Sequence, residues 1–326
     1  MTAQTMKDLS RLKGKTREFF LERGYLETDT PVLSPNLIPE SSLEIFSTEF
    51  VHPYEPSLPL YLVPSPELWM KKIIAETGCN VFQIGKAFRN AESLGKYHNP
   101  EFTMLEYYTV EATSKDNIAL TEELFRSLCV ESTPAYVRPP FRRITMAEAF
   151  REFASLDLNE LTELGAMIDA LEVKGLIVPA HASWEEAFNV LFLSIVEPFL
   201  PMDRPLVLDE YPSGIECLAR DILGTPYKER WELYVRGIEV ANCYSEMTDI
   251  DAARQYFSTQ LEKKKHSLVP HTVDMTYPSL LAALPSCSGV AVGFDRLAMV
   301  FLGAEKIGDV MAFPFSSFLG GRADTL

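Results

Sequence analysis

Two apolar runs, VFQIGKAF (81–88) and EFTMLEYYTVEA (101–112), flank a polar, glycine-containing stretch, and this pair of strands constrains the fold more than any other feature. Strand-like or strand-to-helix patterns return at RPLVLDEYP (204–212), WELYVRGIEVANCYSE (231–246) and SGVAVGFDRLAMVFLG (288–303). Helices fall irregularly between them. Residues 6–24 carry Leu9, Leu12, Thr16, Phe19 and Phe20 at three- and four-residue spacing, and Gly24 stops the run. PLYLV (59–63) reads as a strand and SPELWMKKIIAE as a helix, with Ser65 as N-cap and Pro66 in the first turn. Residues 116–129 form a further helix. ESTPAYVRPPFRR reads as a linker before helical patches at 146–154, 161–173 and 184–197. Strands and helices do not alternate, so the spacing predicts an α+β fold: an antiparallel or mixed sheet flanked by helices, with a helical insertion at about 140–200. One domain over 1–326 is expected.

The chain has 326 residues, enough for a sizeable core, and 47% of them are hydrophobic. Thirty Lys and Arg against 46 Asp and Glu give a formal charge of −16, which repels phosphate backbones at long range and disfavours a general nucleic-acid binder. The run from Gly289 to Gly303 is interrupted by Asp295 and Arg296, so no membrane helix is expected, and the polar, mixed-charge N-terminus lacks a signal-peptide core. Five scattered cysteines without a CxxC pair point to free thiols. A cytoplasmic protein is expected.

Three clusters carry candidate chemistry. In FRNAESLGKYHNPEFTMLEYY (88–108), Arg89, Lys96 and His98 sit on the loop between two strands, with Phe102 beyond, a combination suited to phosphates and a base, or else a solvated hairpin tip. Glu232, Glu239 and Glu246 stand seven apart and suit Mg²⁺, or else are exposed acids on a strand pair. In GVAVGFDRLAMVFLG the glycines permit close strand–helix packing, and Asp295–Arg296 reads as a structural ion pair. KKKH (263–266) reads as the solvated end of a helix.

Taken together, GYLETDTPVLSP resembles motif 1 of the class II aminoacyl-tRNA synthetases (about 17–35), the 82–108 segment motif 2, and 289–303 motif 3. HNPEFTMLEYY, preceded by SPELWMKK, is similar to the lysyl-tRNA synthetase branch. Motif 1 begins within the first 30 residues, so no anticodon-binding domain is expected, and the chain looks like the stand-alone paralogues of the elongation factor P (R)-β-lysine ligase family. Ser65 stands where the synthetases resemble APE, and Ala291 replaces a motif 3 glycine.

The resemblance implies that ATP activates (R)-β-lysine or lysine as an aminoacyl adenylate, which is transferred to the ε-amine of a lysine on elongation factor P. By the same resemblance, Arg89 and Arg296 would be the catalytic residues. Arg89 would hold the α-phosphate and substrate carboxylate, and Phe102 and Arg296 would sandwich the adenine. Asn90, Asn99, Glu239, Val240 and Gly293 would complete the nucleotide site, with His98 near the pyrophosphate. Glu232 and Glu239 would bind Mg²⁺. Glu67, Glu106 and Glu246, helped by Tyr108, Ser65, Pro66 and Ala291, would take the substrate and its two ammonium groups. Where the family often reads RNE, this chain has Arg89-Asn90-Ala91-Glu92, which gives Glu92 an adenine-side role from a shifted position. A homodimer built on helix 6–24, with Phe19 and Phe20 at its interface, is expected, and no tRNA. Two alternatives are a tRNA- or small-amine-acylating enzyme on the same core, and a non-catalytic regulatory paralogue. The latter would be expected to have lost Arg89, Glu232, Glu239 or Arg296, all of which are present.

Overall fold

Helix α1 (Ala3–Leu21) begins at Thr2, whose hydroxyl accepts the Thr5 N–H, and is followed by Gly24 at φ +77°, a left-handed turn that glycine adopts without strain. The computed structural model describes residues 1–92, 94–178 and 180–319; Ser93 of motif 2, Pro179 of the insertion and the expected domain end at 326 lie outside them. Phe19 and Phe20 are buried within their own chain. Phe20 stacks on Phe82 with ring centroids 5.0 Å apart and lies 4.7 Å from Tyr107, so these two rings are not free to form the expected dimer contact.

The strands are β1 (Leu26–Glu27), β2 (Leu33–Ser34), β3 (Phe46–Phe50), β4 (Leu58–Leu62), β5 (Val81–Phe88), β6 (Glu101–Val110), β7 (Arg142–Thr145), β8 (Leu206–Pro212), β9 (Tyr227–Val235), β10 (Ile238–Ser245) and β11 (Cys287–Gly293). After α1 come α2 (Glu67–Thr77), α3 (Ser114–Leu128), α4 (Met146–Ala149), α5 (Leu164–Val173), α6 (Trp184–Leu191), α7 (Ile250–Lys264), α8 (Tyr277–Ala282) and α9 (Phe294–Leu302). Eight strands form one sheet in the order β1-β5-β6-β11-β10-β9-β8-β7, antiparallel except at its two edges, where β1 pairs β5 and β7 pairs β8 in parallel. A small sheet, β2-β4-β3, stands beside it. The two early strands of sequence analysis, β5 and β6, pair antiparallel from Val81↔Tyr108 to Phe88↔Glu101.

Alternation decides which side chains become core and which become site. Leu105 and Tyr107 of β6, Val290 and Val292 of β11, Cys243 of β10, and Trp231, Leu233 and Val235 of β9 belong to one buried cluster with residues of α1, α3 and α9. The intervening positions share the opposite face. Register aligns Glu106, Ala291, Asn242 and Glu232 in one row, and Tyr108, Gly289, Tyr244 and Arg230 in the next. One bulge extends this face. On β10 the register passes from Glu239↔Tyr234 to Ala241↔Leu233, inserting Val240 and bringing Glu239 onto the same side as Asn242.

The helices between residues 146 and 199 pack a second cluster, with Phe188 stacked between Phe150 (5.3 Å) and Phe192 (5.9 Å). The stretch read as a linker ends in edge strand β7, which the preceding Pro139 and Pro140 masked. Pro66, not Ser65, occupies the N-cap position of α2, while Ser65 Oγ accepts the Glu67 N–H at 3.4 Å. The KKKH end of α7 is only partly solvated: Lys263 pairs with Glu216 at 2.8 Å, and Lys264 is 4% exposed and donates to the Leu43 carbonyl.

Candidate active site

The polar face of the sheet opens into two adjoining cavities of about 150 and 110 Å³, and Arg89, Met104, Asn242 and Ala291 line both. Arg89 lies just past the end of β5. Its Nε is buried without a partner, and its guanidinium sits 5.4 Å from the centroid of the Phe102 ring. The residue is half-buried and its guanidinium faces both cavities without a protein partner among the described residues, so this group is placed for an anion that spans the junction.

The first cavity is also lined by Glu92, His98, Asn99, Phe102, Glu239, Val240, Gly293 and Arg296. Arg296 is fixed by donating to the Tyr97 carbonyl (3.1 Å) and the Glu239 carbonyl (2.9 Å), and its Nη1 lies 3.7 Å from the Glu239 carboxylate. Asp295 does not pair with it. The Asp295 carboxylate accepts the Thr103 N–H at 2.6 Å, tying α9 to β6, so the expected ion pair is replaced by a helix-to-strand anchor. His98 is not a third cation: burial, then the charge of Arg296, pushes its imidazole below the usual range, so it is neutral at pH 7. Asn99 lines the cavity but spends its amide on the Glu101 carbonyl (2.5 Å) and the Phe315 N–H (2.8 Å). Asn90 lines neither cavity. Its amide donates to the Ile45 carbonyl at 3.1 Å and so stitches motif 2 to the 36–45 loop.

The second cavity is lined by Ser65, Glu67, Glu106, Tyr108, Glu246 and Ala291, as well as Glu40 and Tyr244; Pro66 is absent from its wall. Its floor is Gly289, where a Cβ would come within 2.3 Å of the Tyr108 ring and 2.8 Å of Glu246 Oε1. Lys71, fully buried on α2, bridges Glu67 and Glu246 with 2.6 Å contacts to each. Burial alone would discharge this ammonium; Glu246 and Glu67 override that and hold its pKa well above the ordinary value. Glu106, 2% exposed, accepts the Tyr108 hydroxyl at 2.7 Å through Oε1, and its Oε2 has no partner. Loss of water, then the charge of Glu67, pushes Glu106 up to about 8, and burial likewise pushes Glu246 to about 7. This cavity is short of positive charge.

The metal expectation meets a mixed environment. Among the described residues, no group of three or more His, Cys, Asp and Glu side chains is set to hold a metal ion. Glu232 lines neither cavity, and its oxygens accept from Arg230 (2.6 Å) and Tyr234 (2.7 Å). Glu239 does reach the first cavity, and burial followed by the charge of Glu232 raises it to about 7. Glu239 alone reaches the cavity, so an ion held there would take one protein carboxylate and draw its remaining ligands from phosphate and water.

The family model for tRNA synthetases class II (D, K and N) matches residues 1–317. The chain belongs to this class II synthetase family. Its curated relatives include proteins named elongation factor P--(R)-beta-lysine ligase from Yersinia enterocolitica (35% identical, covering 93% of this chain and 92% of the relative), Haemophilus influenzae (34%, 93% and 93%) and Proteus mirabilis (34%, 94% and 93%). The class II assignment accounts for the large sheet flanked by helices, and relatives named as ligases over nearly the full length make this class II chain an ATP-dependent ligase. Sequence reading missed three residues that line the cavities, Asn242, Tyr244 and Glu40, and one, Lys71, that lies behind the amine cavity. Lys71 had a usable signal, its spacing of four from Glu67 on a helix. Asn242 and Tyr244 are revealed only by strand register, and Glu40 lies on a loop without regular periodicity.

Proposed function

We propose that this enzyme activates (R)-β-lysine, or lysine, with ATP and transfers the acyl group to the ε-amine of a lysine on elongation factor P. The observation that carries the reading is the junction at Arg89: a carboxylate-lined cavity suited to ammonium groups opens onto a cavity with an aromatic face and two arginines. A diamino acid placed with its ammonium groups among Glu67, Glu106 and Glu246 brings its carboxylate to Arg89. An adenine between Phe102 and Arg296 brings the α-phosphate to the same guanidinium.

The carboxylate oxygen then attacks the α-phosphorus in line and pyrophosphate leaves. No side-chain nucleophile takes part; positioning and charge neutralisation lower the barrier. In the second step a neutral acceptor amine attacks the acyl carbonyl, AMP departs, and the amine nitrogen loses its extra proton as the amide forms. Mg²⁺, held by Glu239 with Glu232 behind it, would neutralise phosphate charge. Ser65 and Tyr108 orient the substrate, and the Ala291 methyl, on the wall shared by the two cavities, shapes the space beside its amine. Glu92, Val240 and Gly293 line the nucleotide side.

We also infer a homodimer. Phe19 and Phe20 are committed to the core, and the apolar side chains left exposed in motif 1 are Leu21 (53%), Leu26 (51%), Val32 (39%) and Leu33 (41%), which are the ones a second copy would cover. No helix among the described residues is long and apolar enough to cross a membrane, and the cytoplasm is the compartment this reaction implies. ATP–pyrophosphate exchange with (R)-β-lysine, L-lysine and no amino acid tests the reading. Exchange is expected with a lysine isomer and not without amino acid. Intact ATP binding with no exchange for any isomer would leave a binding paralogue instead.

A further inference from the structure

Glu40 lines the amine cavity, yet it comes from outside the sheet and outside the three motifs. Its loop is built, not loose. Leu37 N–H donates to the Thr272 carbonyl (3.0 Å), Ser41 N–H to buried Gln260 (2.7 Å), Lys264 to the Leu43 carbonyl, and Asn90 N–H to the Glu44 carbonyl (2.8 Å). These anchors flank Glu40 on both sides and leave its carboxyl without a hydrogen bond or ion pair among the described residues. The charged and titratable groups that face it are Glu67 and Lys71 of α2, Arg89, Lys264 of α7, and the hydroxyls of Tyr244 and Tyr256.

Counting charge gives Glu40 a task. Four carboxyls line the cavity, and the fixed cations beside them are Lys71 and Arg89; Lys264, behind the loop, is held by the Leu43 carbonyl and is offset by Glu44 more than by Glu40. Arg89 is matched by the substrate's own carboxylate and Lys71 by one cavity carboxylate. Two substrate ammonium groups then need two more carboxylates. Glu67 and Glu246 already share Lys71, and Glu106, the least exposed of the acids, is the one most readily kept protonated, with its free Oε2 as hydrogen-bond partner. Neutrality closes with Glu40, Glu67 and Glu246 ionised against Lys71 and two ammonium groups. Without Glu40 one buried ammonium is unmatched, which is strongly unfavourable.

We infer that Glu40 is a specificity-determining carboxylate of the amine pocket and takes the ammonium group nearer the substrate's carboxylate. It shares the cavity wall with Glu67 and Arg89, the two charged side chains that act on it most strongly, which assigns it to the carboxylate end; the inference rests on the diamino-acid reading above. Burial first, then the charge of Glu67, raises its carboxyl to about 7, so its charge forms as pH rises through neutrality.

The test is ATP–pyrophosphate exchange by full-length wild type, Glu40→Gln and Glu40→Asp, using whichever of (R)-β-lysine and L-lysine the wild type prefers, and 6-aminohexanoate, which lacks the nearer amine. Glu40→Gln is expected to raise KM for the diamine about ten- to hundredfold, the scale of one hydrogen bond to a charged group. KM for 6-aminohexanoate and the affinity for ATP should stay within about twofold. Glu40→Asp should recover most of the loss, and the improvement of wild-type KM as pH rises through about 7 should be reduced in Glu40→Gln. Equal effects on both substrates, or no effect on the diamine, would overturn the assignment. Failure of the wild type to exchange with any lysine isomer would instead overturn the functional reading beneath it.

Discussion

The two halves of the site are built on opposite electrostatic terms. The nucleotide half has two arginines, one orphaned and one fixed by backbone carbonyls, on walls that stay partly open. The amine half gathers four carboxyls around one buried lysine, and burial raises three of them, Glu40, Glu106 and Glu246, toward neutral pH. The first half waits for anions and the second for cations, and Arg89 stands where the two meet. Affinity for ATP and affinity for the amino acid should therefore respond separately to mutation and to pH.

The largest break in this comparison is Lys71→Met. Removing the ammonium leaves Glu67 and Glu246 uncompensated, and losing one partner of a buried pair costs about 3–5 kcal/mol. Urea unfolding should show that loss, with the folded fraction retaining ATP affinity because the change lies in the amine half alone. Arg89→Gln should do the reverse. Stability should change little, while exchange falls about 10²- to 10³-fold, comparable to removing one charge-stabilising donor in a transition state.

The effect of pH comes next. Glu40, Glu106 and Glu246 have folded pKa values of about 7, 8 and 7, above their ordinary 4.5, so the folded protein holds the extra protons. The stability these groups contribute is therefore complete below about pH 4.5 and is lost as pH rises through 7 to 8. The melting temperature without substrate should fall between pH 5.5 and 8, and saturating lysine isomer should raise it more at pH 8 than at pH 6. Glu106→Gln should flatten that slope.

Sequence alone carried much of the nucleotide half and less of the amine half. Arg89, Phe102, Gly293 and Arg296 fall inside contiguous motifs, and the fold brings them to one wall because β5, β6 and β11 pair in register. The amine half draws on residues from a loop, a helix and three strands, and its pairings depend on packing that no local pattern encodes. Glu232 looked like a companion of Glu239 by spacing, but its two oxygens are committed to Arg230 and Tyr234. Asn90 is local to motif 2 and yet serves a loop 45 residues earlier in sequence. The prolines before β7 hid a strand, and the three lysines that end α7 hid a buried one.

Smaller effects sharpen the comparison. Ala291→Gly removes one methyl on the wall shared by both cavities and should alter the ratio of kcat/KM for (R)-β-lysine over L-lysine about tenfold, with ATP affinity unchanged. Lys263→Ala with Lys265→Ala touches only exposed ion pairs and should stay within about 0.5 kcal/mol of wild-type stability. Unchanged transfer kinetics at low salt would show that this helix end does not steer the acceptor.

The most direct test of the central claim follows the acyl group to its destination. Enzyme, ATP and (R)-β-lysine are incubated with elongation factor P, with a variant whose acceptor lysine is arginine, and with tRNA, and intact masses and acyl-tRNA are measured. One added β-lysyl group on elongation factor P, absent from the arginine variant and from tRNA, is the predicted result. Acyl groups appearing on tRNA, or adenylate formed and released without any transfer to protein, would contradict it.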